Sequence, residues 1–226
     1  MQTYGRLVKD IGIMLALAIF AGQLCAAGRL GAAENRPPEG SASQAGGEIT
    51  VPKGTLDAIT AILTRRSIRD YGPHPVPEET IKLLLEGAMS APSAFNERSQ
   101  EFVVVNDRKI LDKIYQLNPN SAQVKRATVA IVVCGNQAKE RFKGQGYWQL
   151  DGAVAAENIL IAANALGLGA VWTAIYPYPD RIPAVQKLLN LPEQVIPLTI
   201  IPLGYPAERK PRENRYDASR VHYNRW

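Results

Sequence analysis

The chain is short of the residues that most often build metal and nucleophile sites. It has two cysteines and two histidines among 226 residues. Cys25 lies in an N-terminal apolar region and Cys134 lies inside a second apolar run, so neither a disulfide between them nor a cysteine nucleophile is predicted. His74 and His222 have no carboxylates at ligand spacing. The sequence therefore predicts no metal site and no serine or cysteine triad.

Two ligand-binding signatures are also missing. No Gly-x-Gly-x-x-Gly fingerprint follows a predicted strand, which argues against a nicotinamide dinucleotide held in a Rossmann crevice. No zinc-ligand spacing or helix-turn-helix pattern accompanies the net charge of +5. Much of the basic excess sits in two groups, one after the first predicted helix and one between Arg209 and Arg225. This clustering favours a phosphorylated small molecule, and no nucleic-acid partner is predicted.

The N-terminus has an apolar run from Ile11 to Leu24, which is shorter than the roughly 20 residues of a comfortable spanning helix. Basic residues precede the run and small residues follow it, so residues 1–33 are predicted to be a signal peptide or an N-terminal membrane segment. Residues 34–54, rich in Pro, Gly, Ser and Ala, are predicted to be a flexible linker. We expect an exported, periplasmic or membrane-associated protein, with membrane association through residues 11–24 or a cytoplasmic location as alternatives.

Residues 55–226 are predicted to form one domain that opens with a basic cluster. Apolar residues at helical spacing predict a first helix, which delivers Arg65, Arg66, Ser67 and Arg69 at its C-terminal end. Arginine side chains match phosphate oxygens bidentately, so the cluster predicts an anion site. The alternative is a solvated basic face at the end of a helix.

Four further motifs follow in order: Ala91-Pro92-Ser93-Ala94-Phe95-Asn96, Gly167-Leu168-Gly169, Gly204-Tyr205-Pro206 and His222-Tyr223-Asn224-Arg225-Trp226. Together with the basic cluster, this series resembles the nitroreductase family of flavin enzymes over roughly residues 55–226. The resemblance implies an α+β fold with a mixed β-sheet sandwiched by helices. It also implies a domain-swapped homodimer with FMN at the interface, which suits the nearly all-apolar predicted helix from Tyr147 to Leu168.

The resemblance further implies which residues hold the flavin. The backbone of Ala174 or Ile175 is expected to donate to flavin N5, and no side chain is expected to be catalytic. Arg215 matches the second cation of the family's Lys/Arg-x-Arg pair, with Arg212 as the candidate for the first. The expected cofactor-binding residues are Arg65, Arg66, Ser67, Arg69, Pro92, Ser93, Asn96, Asn120, Ala174, Ile175, Arg212 and Arg215.

One position departs from the family pattern. The asparagine is usually followed by x-Gln-Pro, whereas this chain has Arg98-Ser99 after Glu97. The implied activity is hydride transfer from NAD(P)H through FMN to a nitroaromatic, quinone or similar acceptor by a ping-pong mechanism. The alternative is a non-catalytic, exported flavin-binding carrier or sensor.

Overall fold

The computed structural model describes residues 50–226. The predicted signal or membrane segment of residues 1–33 and most of the predicted linker of residues 34–54 lie outside the described residues. The side chains of Pro119 and Asn120 also lie outside them.

The fold is α+β, as predicted. Its helices are α1 (Ala58–Thr64), α2 (Glu78–Met89), α3 (Arg108–Leu117), α4 (Tyr147–Ala165) and α5 (Arg181–Leu189). Its strands are β1 (Gln100–Val105), β2 (Val129–Asn136), β3 (Gly169–Ala170), β4 (Thr173–Ala174) and β5 (Val195–Gly204). No helix within residues 50–226 is long and apolar enough to cross a membrane.

The strands form one sheet in the order β1-β2-β5-β3, with β4 also paired to β5. Every pair between these named strands is antiparallel, and β2 and β5 are buried along almost their whole length. The prediction of a mixed sheet is met only by an isolated parallel bridge between Ser67 and Ala170. The buried central strands explain why their sequences are continuous apolar runs.

Helices cover both faces of the sheet. Ile131 and Val133 of β2 pack in one core cluster with α2 and α4, and Val132 and Cys134 face a second cluster with α3 and α5. Cys134 is fully buried, and this burial raises the pKa of its thiol to about 12. The thiol is therefore protonated and serves as a small core side chain, as the sequence predicted.

Two helices carry apolar side chains that their own core does not cover. The stripe on α1 points outward, with Ile59 65% exposed and Ile62 51% exposed. On α4, Ile159 is fully buried against the sheet, whereas Leu150 is 64% exposed. The expectation that α4 is buried all round therefore holds only for its inner face within a single chain. The first helix was expected from its periodicity, but periodicity does not show whether the stripe faces its own core.

Candidate functional site

The basic cluster lies in an extended segment that begins where α1 ends. Arg65 caps the helix with extended backbone, and the next residues bridge to two strand ends, Ser67 to Ala170 and Tyr71 to Pro206. Tyr71 is buried, and its hydroxyl lies 2.7 Å from the carbonyl oxygen of Ile68, to which it donates. The buried Ile68 and Tyr71 therefore anchor the segment, while the arginines beside them, Arg65, Arg66 and Arg69, are not buried.

Two glycines of the motifs are required because Ile68 and Tyr71 of this segment pack directly against their backbone. A Cβ on Gly169 would lie 2.6 Å from Cγ2 of Ile68, and a Cβ on Gly204 would lie 2.9 Å from Cβ of Tyr71. Both distances are shorter than any real carbon contact. The Gly-Leu-Gly and Gly-Tyr-Pro motifs thus make room for the anchors of the basic cluster.

The two basic groups of the sequence meet at one cavity of about 260 Å³, which we call the arginine cavity. Its lining comprises Ile62, Leu63, Arg65, Arg66, Arg212, Glu213, Asn214, Arg215 and Tyr216. Arg65 is held by an ion pair between its Nε and Oε1 of Glu157, 3.1 Å apart, and Arg66 donates from Nη1 to the carbonyl oxygen of Pro211 at 2.8 Å. The arginines are thus oriented by the protein itself.

A single carboxylate lies among these arginines. Oε1 of Glu213 is 2.5 Å from Nη2 of Arg66, and Oε2 accepts from both Nε and Nη2 of Arg215 at 3.1 Å. These hydrogen bonds, that from Arg66 foremost, hold the pKa of Glu213 below its ordinary value. Glu213 is therefore ionised at neutral pH.

Ser67 and Arg69 do not line the arginine cavity, although both were predicted as cofactor-binding residues. Arg69 is exposed, and its backbone N–H donates to Glu208. The carbonyl of Ser67 accepts from Nζ of Lys210 at 2.7 Å, which places a fifth cation beside the cluster. Lys210 belongs to the second basic group but was not among the expected cofactor-binding residues, because Arg215 was matched to the family pair although Lys210-Pro211-Arg212 has the Lys-x-Arg spacing.

The loop from Pro92 to Ser99 holds its polar groups in strained backbone. Phe95, Asn96 and Arg98 all have left-handed conformations, with φ between 50° and 56°. Oγ of Ser93 accepts from the backbone N–H of Arg98 at 3.0 Å, and Oδ1 of Asn96 accepts from its Nε at 3.2 Å. Arg98, the departure from the family pattern, is therefore bonded to the two polar side chains predicted to face the flavin, whereas Pro92 is exposed.

A buried carboxylate fixes this loop to α4. Asp151 accepts from the backbone N–H of Ala94 at 2.9 Å and from the hydroxyl of Ser99 at 3.0 Å. Six residues further along α4 lies Glu157, the partner of Arg65, about 9 Å along the helix axis. One rigid helix therefore carries both the Pro92–Ser99 loop and the edge of the arginine cavity. No local pattern pointed to Asp151, because its partners lie more than fifty residues away along the chain.

The hydrogen bonds between β4 and β5 distinguish the two residues that were predicted to donate to flavin N5. The N–H of Ile175 donates to the carbonyl of Leu198 at 3.1 Å, so it is already used within the sheet. Bonded and non-bonded pairs alternate in an antiparallel ladder, so the N–H and carbonyl of Ala174, opposite Thr199, point away from β5. The Ala174 carbonyl accordingly accepts from Nη1 of Arg181 at 3.1 Å. Ala174 therefore remains the candidate donor, whereas the N–H of Ile175 is already engaged within the sheet.

Asn120 lies in the 3₁₀ segment Pro119–Lys125, and its side chain is outside the described residues. This segment is joined to β4 by a hydrogen bond of 2.7 Å from Nε2 of the buried Gln123 to Oγ1 of Thr173. Thr173 immediately precedes Ala174. The segment that carries Asn120 is thus attached next to the candidate donor.

Comparison with known proteins identifies the family to which this architecture belongs. A sequence model of the Nitroreductase family matches residues 62–149 and 116–205. An NADH dehydrogenase/NAD(P)H nitroreductase of Methanothermobacter thermautotrophicus is 47% identical over 171 residues, which are 76% of this chain and 88% of that protein. The crystal structure of a protein given the same name, from Bacteroides thetaiotaomicron, superimposes with a TM-score of 0.71 at 45% identity and covers 75% of this chain and 98% of the other. The chain belongs to the nitroreductase family, as its motifs predicted.

Proposed function

We propose that this chain is an NAD(P)H-dependent FMN oxidoreductase that reduces nitroaromatic, quinone or similar acceptors by a ping-pong mechanism. The names of its relatives support the enzyme class and the cofactor. They include an FMN reductase [NAD(P)H] of Bacillus subtilis, 27% identical, and an NADPH nitroreductase of Salmonella typhimurium, also 27% identical. A related structure from Desulfovibrio desulfuricans, 27% identical, is a complex with FMN.

The arginine cavity is the observation that carries the proposal. Its lining has four arginines and one carboxylate, and Glu157 pairs with Arg65 at its edge. The cavity therefore keeps a net positive charge, against the roughly two negative charges of a phosphate monoester. FMN, with its single terminal phosphate, fits this donor set. Arg65, Arg66, Arg212 and Arg215 would hold the phosphate, with Lys210 beside them.

The remaining residues would position the isoalloxazine ring. The N–H of Ala174 points away from the sheet and is the candidate donor to N5. Ser93 and Asn96, braced by Arg98, are candidates for its polar edge, and Asn120 is a further candidate. Bound FMN would supply the redox chemistry by accepting hydride from NAD(P)H and reducing the acceptor, so the protein's task is binding and orientation.

An aromatic surface beside Asn96 supports a flat acceptor. Phe95 is 56% exposed, and its ring centroid lies 5.0 Å from that of Phe142 and 5.9 Å from that of Tyr147. Such a surface offers stacking to nitroaromatic and quinone rings. Because the sequence has no Rossmann fingerprint, we infer that the nicotinamide leaves before the acceptor binds.

We further propose a domain-swapped homodimer. The outward stripe of α1 and the exposed Leu150 and Val154 of α4 form apolar surface that one chain leaves in water. The tail beyond the arginine cavity, residues 217–226, is exposed and carries Tyr223 and Trp226. A second copy that covers α1 and α4 and receives the tail would bury these side chains.

Export remains a proposal drawn from residues 1–33. N-terminal sequencing of the native protein tests it, because export with cleavage predicts that Met1 is missing. An intact Met1 in a soluble fraction would indicate the cytoplasmic alternative.

Steady-state kinetics of the purified full-length protein test the function. With FMN bound, oxidation of NADH or NADPH should depend on a quinone or nitroaromatic, and double-reciprocal plots should be parallel, as ping-pong kinetics require. Tight FMN binding without turnover would support the carrier or sensor alternative. Protein that does not bind FMN would overturn both.

A further inference from the structure

We propose that Glu213 is an internal counter-anion that lowers the affinity of the arginine cavity for the phosphate of FMN. The inference rests on the proposed function and goes further, because it assigns to one carboxylate the control of how readily FMN is bound and released.

The first support is geometric. The carboxylate of Glu213 uses both oxygens on arginines of the cavity, Oε1 on Arg66 and Oε2 on Arg215. A phosphate that enters the cavity meets these same two guanidinium groups. The carboxylate and the phosphate therefore compete for the same donors, and their negative charges repel each other.

The second support is that Glu213 is not needed to hold Arg65 and Arg66 in place. Arg66 is also fixed by its hydrogen bond to the carbonyl of Pro211, and Arg65 is fixed by Glu157. A glutamine at position 213 removes the negative charge and keeps one oxygen that accepts from arginine, while its NH2 group replaces the second acceptor. Comparing FMN with riboflavin therefore separates the effect of the charge on the phosphate from a general structural effect of Glu213→Gln.

A carboxylate in this position weakens an otherwise strong anion site. Four arginines in one small cavity would otherwise bind a phosphate strongly, because each charge-assisted contact adds to the affinity. Glu213 offsets part of that attraction while Arg65 and Arg212 stay available to the phosphate.

The test is an equilibrium titration of the full-length protein with FMN and, separately, with riboflavin, followed by flavin fluorescence. Glu213→Gln should tighten FMN binding by about fivefold and leave riboflavin binding unchanged, because riboflavin has no phosphate.

Glu193→Gln is the matched control, since it removes the same charge. Glu193 is exposed and precedes β5, whereas the basic cluster packs at the other end of this ten-residue strand, roughly 30 Å away. Its FMN affinity should equal that of the wild type. Equal or weaker FMN binding by Glu213→Gln would overturn the inference, while failure of the wild type to bind FMN would overturn the proposed function itself.

Discussion

At the scale of single residues, the site depends on how charges are paired. Arg65 is oriented by Glu157, and Arg66 is oriented by the carbonyl of Pro211. These contacts keep two cations at the cavity wall, but they use donors that a ligand would otherwise bind. Arg212 lines the same cavity, is exposed, and makes no ion pair with another described residue. It is therefore the arginine whose replacement should report most directly on a bound phosphate.

Arg212→Gln should weaken FMN binding by about 1.5 kcal/mol, roughly tenfold, because one charge-assisted hydrogen bond to the phosphate is lost. Riboflavin binding should not change. Arg209→Gln is the control, because Arg209 is an exposed arginine of the same tail that does not line the cavity. Equal FMN affinities for the two variants, measured by fluorescence titration, would mean that Arg212 does not bind the phosphate and belongs to a solvated tail.

The sequence pointed to four arginines that lie at one cavity, but it could not show which basic residues of each group would line it. Arg65, Arg66, Arg212 and Arg215 line one cavity because Tyr71, which follows the first basic group, packs against Gly204, which precedes the second group. Arg69 was not separable from its neighbours, because the direction of each side chain in the extended segment depends on which neighbours become buried.

At the scale of elements, β2, β5 and the inner face of α4 could be predicted, because a continuous apolar run is stable only when it is buried in the core. The outward stripe of α1 could not be assigned to a partner, since periodicity shows that one side is apolar and not what covers it. Asp151 was missed because a buried carboxylate acquires its role only through distant partners, and those partners lie in the Pro92–Ser99 loop.

Asp151→Ala should destabilise the protein by about 2–3 kcal/mol, because the N–H of Ala94 and the hydroxyl of Ser99 lose a buried acceptor. Asp112→Ala is the control: its carboxylate forms an exposed i,i+4 pair with Arg108, worth about 0.3–0.5 kcal/mol. Urea unfolding measures both. A similar small loss for the two variants would mean that Asp151 does not anchor the loop.

At the scale of the whole molecule, the uncovered apolar surface is the main feature that a single chain leaves unexplained. It lies on the α1 and α4 side, whereas the α3 and α5 layer covers the other face of the sheet. A homodimer through α1 and α4 accounts for it, and the exposed tail provides the segment for a swap.

Leu150→Glu, and separately Ile59→Glu, should give monomers by light scattering with unchanged far-ultraviolet circular dichroism, because a charge would be buried in the interface. Leu117→Glu is the control: Leu117 is 37% exposed at the end of α3, in the opposite layer, and this variant should remain a dimer. A Leu150→Glu protein that stays dimeric would place the interface elsewhere.

The central claim is that this chain binds FMN and exchanges electrons through it. The most direct measurement is a visible-absorbance titration of the purified full-length protein with FMN, followed by anaerobic addition of NADH or NADPH and then of a quinone. We predict saturable binding, loss of the oxidised-flavin absorbance on addition of the nicotinamide, and its return on addition of the quinone. Protein that takes up no FMN, or bound FMN that neither nicotinamide reduces, would contradict the account.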